Sequence, residues 1–213
     1  PDRFMAESGR ISYVTDTLDK AGAEWKLFSD VQADPDVATV TKGVGIIQEF
    51  KPDSVIAFGG GSAIDCAKAV GARIARPKTP IRSMKGILRV LRRIPLLIAV
   101  PTTAGTGSEV TLASVITDSE SGHKFPINDF PLIPRVAVLD VENTRSLPPA
   151  MTATTGMDAL SHAIESYVSL NASPLTEMYG LKAIELINQS LKDACQNPGD
   201  LAARGNMMLG SYL

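Results

Sequence analysis

Asp158 and His162 stand four residues apart in the run GMDALSHAIESY. On a helix that spacing places a carboxylate and an imidazole on one face, where both reach a single metal ion. Oxygen and nitrogen donors without thiolate suit Fe2+, Zn2+ or Mn2+. The same spacing also suits an ordinary ion pair on a helix surface, and two ligands alone do not complete a metal site. The other histidine, His123, lies in SESGHKF, which reads as an exposed hairpin turn. Cys66 and Cys195 fall in separate helical segments and have no reason to converge.

A second chemistry is suggested by FGGGSAIDCAKAV, residues 58–70. Gly59, Gly60 and Gly61 let a backbone approach a ligand closely, and a helix starting there offers free N–H groups and a positive dipole end to phosphate. Ser62 stands where an N-cap belongs, with Asp65 three residues on, so SAID also fits a capping box that needs no ligand. The pattern is neither the G-x-G-x-x-G of Rossmann folds nor a Walker loop. A second polar loop, PTTAGTGSE at 101–109, follows another apolar run and offers the hydroxyls of Thr102, Thr103, Thr106 and Ser108. Loops at the carboxyl ends of parallel strands are where ligands of open α/β sheets bind, although a Gly/Thr turn with local side-chain bonds fits as well.

The elements that must carry these residues follow from periodicity. ISYVTDTLDKAG has helical apolar spacing and ends at Gly22; DPDVATVTKGVGIIQEFKPD reads as a second helix between Pro35 and Pro52. EWKLFSDV, SVIAFG, LLIAVP and VAVLDV read as strands, and SAIDCAKAVGARIA as a helix. Strand and helix alternate over the first 145 or so residues, which implies a mostly parallel sheet with helices on its faces. Pro148 and Pro149 mark a break, after which MDALSHAIESYVSL and PLTEMYGLKAIELINQSLKDAC show only helical period. The expected organisation is an α/β domain over 1–147 and an all-α domain from 148 to 213. RSMKGILRVLRRIP, with Arg82, Lys85, Arg89, Arg92 and Arg93, reads as a solvated helix face or excursion, or as a basic lid near a cofactor phosphate.

The bulk numbers narrow the class. The chain has 213 residues, 44% apolar and 21% charged, which is enough for one large domain or two small ones. A net charge of −2 speaks against nucleic-acid binding. Two lone cysteines suggest a reducing, cytoplasmic setting. Apolar runs of about eight residues are too short to span a bilayer.

GGGSAIDCAKA, PTTAGTGSEVT and GMDALSHAIESY, in this order, resemble the signatures of the iron-containing alcohol dehydrogenases, and the resemblance runs through the whole chain. It implies an N-terminal dinucleotide-binding α/β domain, a helical metal-binding domain and NAD-linked oxidation of a small alcohol or reduction of an aldehyde. Gly59, Gly60, Gly61 and Ser62 would hold the pyrophosphate; Thr102, Thr103 and Thr106 would line the cofactor further along; Lys124 would contact it. Asp2 matches an acidic residue that takes the adenosine ribose and disfavours a 2′-phosphate, hence NAD over NADP. Asp158 and His162 match the first two ligands of the metal, Fe2+ with Zn2+ also possible. Asp34 stands where the family usually has Asn before Pro, and a carboxylate there should weaken dinucleotide binding. The family's first strand and two further histidine ligands have no counterpart between Pro1 and Leu213, so the expectation is a fragment of a longer enzyme that forms homo-oligomers. The alternatives are a glycerol or polyol dehydrogenase of the same superfamily, or an inactive dinucleotide-binding remnant.

Overall fold

A computed structural model describes residues 1–213. The chain divides into two compact units, one formed by Pro1–Val100 with Ser108–Ala137 and the other by Pro101–Gly107 with Val138–Leu213.

In the first unit α1 (Arg3–Glu7) and α2 (Ser12–Lys20) precede α3 (Val37–Phe50), β1 (Ser54–Gly59) and α4 (Gly61–Ala75). Then come β2 (Gly86–Ile87), β3 (Leu96–Pro101), the hairpin of β4 (Ala113–Asp118) and β5 (His123–Asn128), and β6 (Val136–Ala137). The α3 helix starts at Asp36, whose carboxylate accepts from the Thr39 amide at 2.7 Å, and stops at left-handed Lys51 just before Pro52. One sheet has the order β1-β3-β6, with β3 and β6 parallel. The second has the order β2-β5-β4, where β2 runs parallel and β4 antiparallel to β5.

Helix α4 serves both sheets. Cys66, Ala69 and Val70 pack with Val40 and Val44 of α3 and with Ile116, Phe125 and Ile127 of the second sheet. Ile64 packs on Ala57, Leu97 and Ala99 of the first. A helix apolar nearly all round is a buried helix, and this one is.

Two expected strands are corrected. Residues 24–31 belong to no ladder and form no strand. Trp25, Leu27 and Phe28 instead line a groove of about 580 Å³ together with Val55 and Ala57 of β1. Side-chain propensity without a backbone neighbour does not make a strand. VAVLDV pairs only at Val136 and Ala137, because the Asp140 carboxylate accepts from the Glu142 amide and turns the chain into a 3-10 segment at Val141–Thr144. The basic stretch at 82–93 is an irregular excursion that includes a 3-10 turn and β2, not a helix.

The second unit holds α5 (Pro149–Val168), α6 (Pro174–Gln196) and α7 (Leu201–Tyr212). Prolines open α5 and α6, where no amide partner is needed, and Ser173 with Thr176 forms a capping box on α6. Small residues let the helices close on one another around Ala159, Ala163, Ala183, Ile187 and Met207. Arg204 is buried at 2% exposure, donating to the carbonyls of Thr144 at 2.6 Å and Pro198 at 2.7 Å. No helix is long and apolar enough to cross a membrane.

Gly156 marks the tightest helix crossing. A Cβ there would collide with Leu191 Cδ1 and lie 2.8 Å from Met207 Cε. Gly156→Val is expected to cost roughly 1–3 kcal/mol through overpacking and to lower the melting temperature by several degrees in a circular-dichroism melt. An unchanged melt would contradict this packing.

Candidate functional site

The glycine turn is built by sterics. Gly59 has φ of 146°, and a Cβ on it would sit 2.7 Å from Ala63 Cβ, so only glycine fits. Gly60 is the N-cap, in extended conformation and without a side-chain cap. The expected SAID capping box therefore does not form. The helix begins two residues earlier than a Ser62 cap would allow, leaving Ser62 in the first turn and Asp65 in the second. Ser62 Oγ instead accepts from the Asp34 amide at 3.4 Å. The first turn of α4 thus presents backbone N–H groups without a side-chain cap, behind a turn where a Cβ would intrude. That is a cradle fitting a phosphate.

Two other expected residues gather there. Lys124 Nζ lies 2.7 Å from Asp34 Oδ1, with both side chains more than half exposed at 54% and 60%. Asp34 is left-handed (φ 54°), a conformation its short polar side chain tolerates. Lys124 stands across the ladder from Thr117, whose amide donates to the Pro35 carbonyl at 2.9 Å. The buried Thr117 hydroxyl has no partner. Ser62, Asp34 and Lys124 are thus brought together by three different elements.

The Asp2 carboxylate caps α1 by accepting from the Met5 amide at 2.7 Å. The threonine loop belongs to the second unit, with Thr102 buried, Thr103 half-buried and Thr106 exposed. Ala104 is held in the helical core, and Gly105 packs so tightly that a Cβ would lie 2.9 Å from the Thr155 carbonyl.

On α5, Asp158 Oδ1 and His162 Nε2 are 3.9 Å apart on an exposed face. Metal–ligand bonds of about 2.0–2.2 Å let one ion span that distance. The donors fit two positions of a metal site, and no group of three or more His, Cys, Asp or Glu gathers in the chain. His123 opens β5 after the turn at 119–122 and is exposed, as its sequence suggests.

Sequence reasoning missed a buried polar cluster on α4. Lys68 is fully buried and donates to the carbonyls of Thr111 at 2.7 Å and Ala113 at 2.8 Å, and to the hydroxyls of Thr111 at 3.2 Å and Ser108 at 3.3 Å. Burial pushes its ammonium down to about 8, against the attraction of Asp65 and Glu109. Burial also raises the carboxyls of Asp65 and Glu109 above their ordinary range. The nearby Cys66 thiol is pushed up to about 12 by burial. A signal was present: Lys68 follows Ile64 by four residues, on a face that is otherwise apolar.

The family model for iron-containing alcohol dehydrogenase matches residues 1–141, and that for the C-terminal part of the Fe-containing alcohol dehydrogenase family matches residues 152–213. The chain belongs to the iron-containing alcohol dehydrogenase family. Among the relatives of this chain is an NADPH-dependent butanol dehydrogenase of Clostridium saccharobutylicum, 43% identical over 205 residues that cover 95% of this chain and 52% of the relative. Lactaldehyde reductase of Escherichia coli (strain K12) is 39% identical, covering 100% and 55%. A solved 1,3-propanediol oxidoreductase superposes with a TM-score of 0.95 at 34% identity, over 99% of this chain and 55% of that one. Sulfoacetaldehyde reductase from Bifidobacterium kashiwanohense, solved in complex with NAD+, gives 0.89 at 37% identity, over 99% and 56%. The chain spans about half the length of the relatives it matches, between 52% and 55% for the two curated proteins.

The buried lysine gives stability a pH dependence of definite sign. Its folded value of about 8 lies below the ordinary 10.5, so between these the unfolded chain binds more protons. Lys68 therefore costs stability below about pH 8, and that cost is relieved as pH rises towards 10.5. The urea midpoint of the wild type, referred to that of Lys68→Met, is expected to rise over this window. A difference independent of pH would contradict the assignment.

Proposed function

We propose that the protein carrying this chain is a metal-dependent, NAD-linked alcohol dehydrogenase or aldehyde reductase for small alcohols and aldehydes. The observation that carries this reading is the bare first turn of α4 behind Gly59, in a chain that belongs to the iron-containing alcohol dehydrogenase family. Relatives named for butanol, lactaldehyde and 1,3-propanediol support the substrate class.

In this reading Gly59, Gly60, Gly61 and Ser62 receive the pyrophosphate with backbone N–H groups and the positive end of α4. Lys124 leaves Asp34 to pair with a phosphate oxygen, and Asp34, left beside that phosphate, lowers the affinity. Thr102, Thr103 and Thr106 donate hydroxyl hydrogen bonds further along the cofactor. Asp2 takes the ribose hydroxyls and repels a 2′-phosphate, which favours NAD. The bound dinucleotide supplies the hydride chemistry. Asp158 Oδ1 and His162 Nε2 hold Fe2+ or Zn2+, and His162 must be neutral to do so. When bound, the ion is a Lewis acid for the substrate oxygen. The division of labour falls near residue 147, dinucleotide before it and metal after it. Homo-oligomers in the cytoplasm go with the same reading, which the two unpaired thiols suit.

Titration with NADH, followed by nicotinamide fluorescence, tests it. Replacing both Gly60 and Gly61 by Val is expected to weaken binding roughly tenfold or more, about 1.4 kcal/mol. Wild-type affinity in that variant would remove the pyrophosphate site from the turn.

A further inference from the structure

Residues 108–112 lead into β4 without belonging to any ladder. The Leu112 carbonyl accepts from the Asp129 amide at 3.1 Å, and polar groups of Ser108, Thr111 and the start of β4 are met from α4. Lys68 supplies the donors for the Thr111 and Ala113 carbonyls, as a neighbouring strand would. The Asp65 carboxylate accepts from Ser108 Oγ with one oxygen and from the Val115 amide, at 2.9 Å, with the other. The Asp65 carbonyl accepts from Ser114 Oγ at 2.8 Å. These contacts between helix and hairpin come from two residues one helical turn apart.

Apolar packing of Ile116 and Phe125 against Val70 also joins the hairpin to α4, but it is not directional. The bonds to Asp65 and Lys68 are directional and set how far β4 has advanced along the helix, while the Thr117 amide, donating to the Pro35 carbonyl at 2.9 Å, ties the same strand to the Asp34 loop. Two residues beyond Val115 comes Thr117, across the ladder from Lys124. A shift of the β4–β5 hairpin along α4 by one residue would carry Lys124 about 3.4 Å along the strand direction. Lys124 would then no longer meet Asp34 beside Ser62.

We propose that Asp65 and Lys68 are positioning residues for Lys124: they lock the β4–β5 hairpin to α4 so that the lysine stands at the phosphate cradle of the helix's first turn. This rests on the dinucleotide reading above. Neither residue touches the ligand. Both act through the hairpin, and the buried charges are kept because an apolar pair would hold the sheet without setting its register.

A double-mutant cycle on the purified protein, read by calorimetric titration with ADP, tests the lock. Lys124→Ala is expected to weaken ADP roughly tenfold, and Asp65→Asn roughly fivefold. The double variant should fall no more than about twofold below Lys124→Ala, because the lock has nothing left to position. Additive losses, or an Asp65→Asn variant that melts lower yet binds ADP as the wild type does, would overturn the proposal. If Asp65→Asn does not fold, Ser108→Ala takes its place in the cycle with the same non-additivity expected. Should the wild type bind ADP and lose nothing with Lys124→Ala, the lock falls while the dinucleotide reading stands. A wild type that binds neither ADP nor NADH overturns the dinucleotide reading and this inference with it.

Discussion

Gly59 and Ala63 meet so closely that the backbone between them has one way to go. With 2.7 Å between a would-be Cβ and Ala63, β1 must pass into α4 through a turn with no side chain in it. The helix that results is uncapped and buried, wedged by Ile64 against one sheet and by Cys66, Ala69 and Val70 against α3 and the other sheet. An orphaned N-terminus is a defect in a purely structural helix. In the proposed reading this end of the helix, with Ser62, Asp34 and Lys124 beside it, receives the dinucleotide phosphate.

Burying an ammonium is costly unless its hydrogens find acceptors. Lys68 has carbonyl and hydroxyl acceptors and the nearby carboxylates of Asp65 and Glu109. A Leu at this site would pack, and the Thr111 and Ala113 carbonyls would then lose their donor. The second unit solves a similar problem with Arg204, whose guanidinium gathers the carbonyls of Thr144 and Pro198 where the chain turns into α7. In both units a buried cation replaces a missing backbone neighbour.

Much of this was legible in the sequence. Apolar period and prolines located α3, β1, α4, β3, α5 and α6, because each buries a face whose pattern is local. The Asp158–His162 spacing and the glycine turn were legible for the same reason. Residues 24–31 were misread because their β-branched and aromatic content says nothing about whether a strand lies alongside. Ser62 was misread as a cap because Gly60, which offers no side chain, starts the helix instead. The Asp65–Lys68 lock escaped because its partners lie forty or more residues on, at Ser108, Thr111, Ala113 and Val115, and only the fold brings them to α4. The Asp34–Lys124 pair, ninety residues apart, was visible as two candidate residues but not as a contact.

The central claim is that the bare first turn of α4 is the dinucleotide phosphate site. The most direct measurement is an amide nitrogen–proton correlation spectrum of labelled protein, recorded as NAD+ is added. The expected result is that the amides of Gly60, Gly61 and Ser62 shift together and saturate, with the Lys124 and Asp34 signals following the same curve. Saturable shifts that leave these amides unmoved would place the ligand elsewhere and contradict the account.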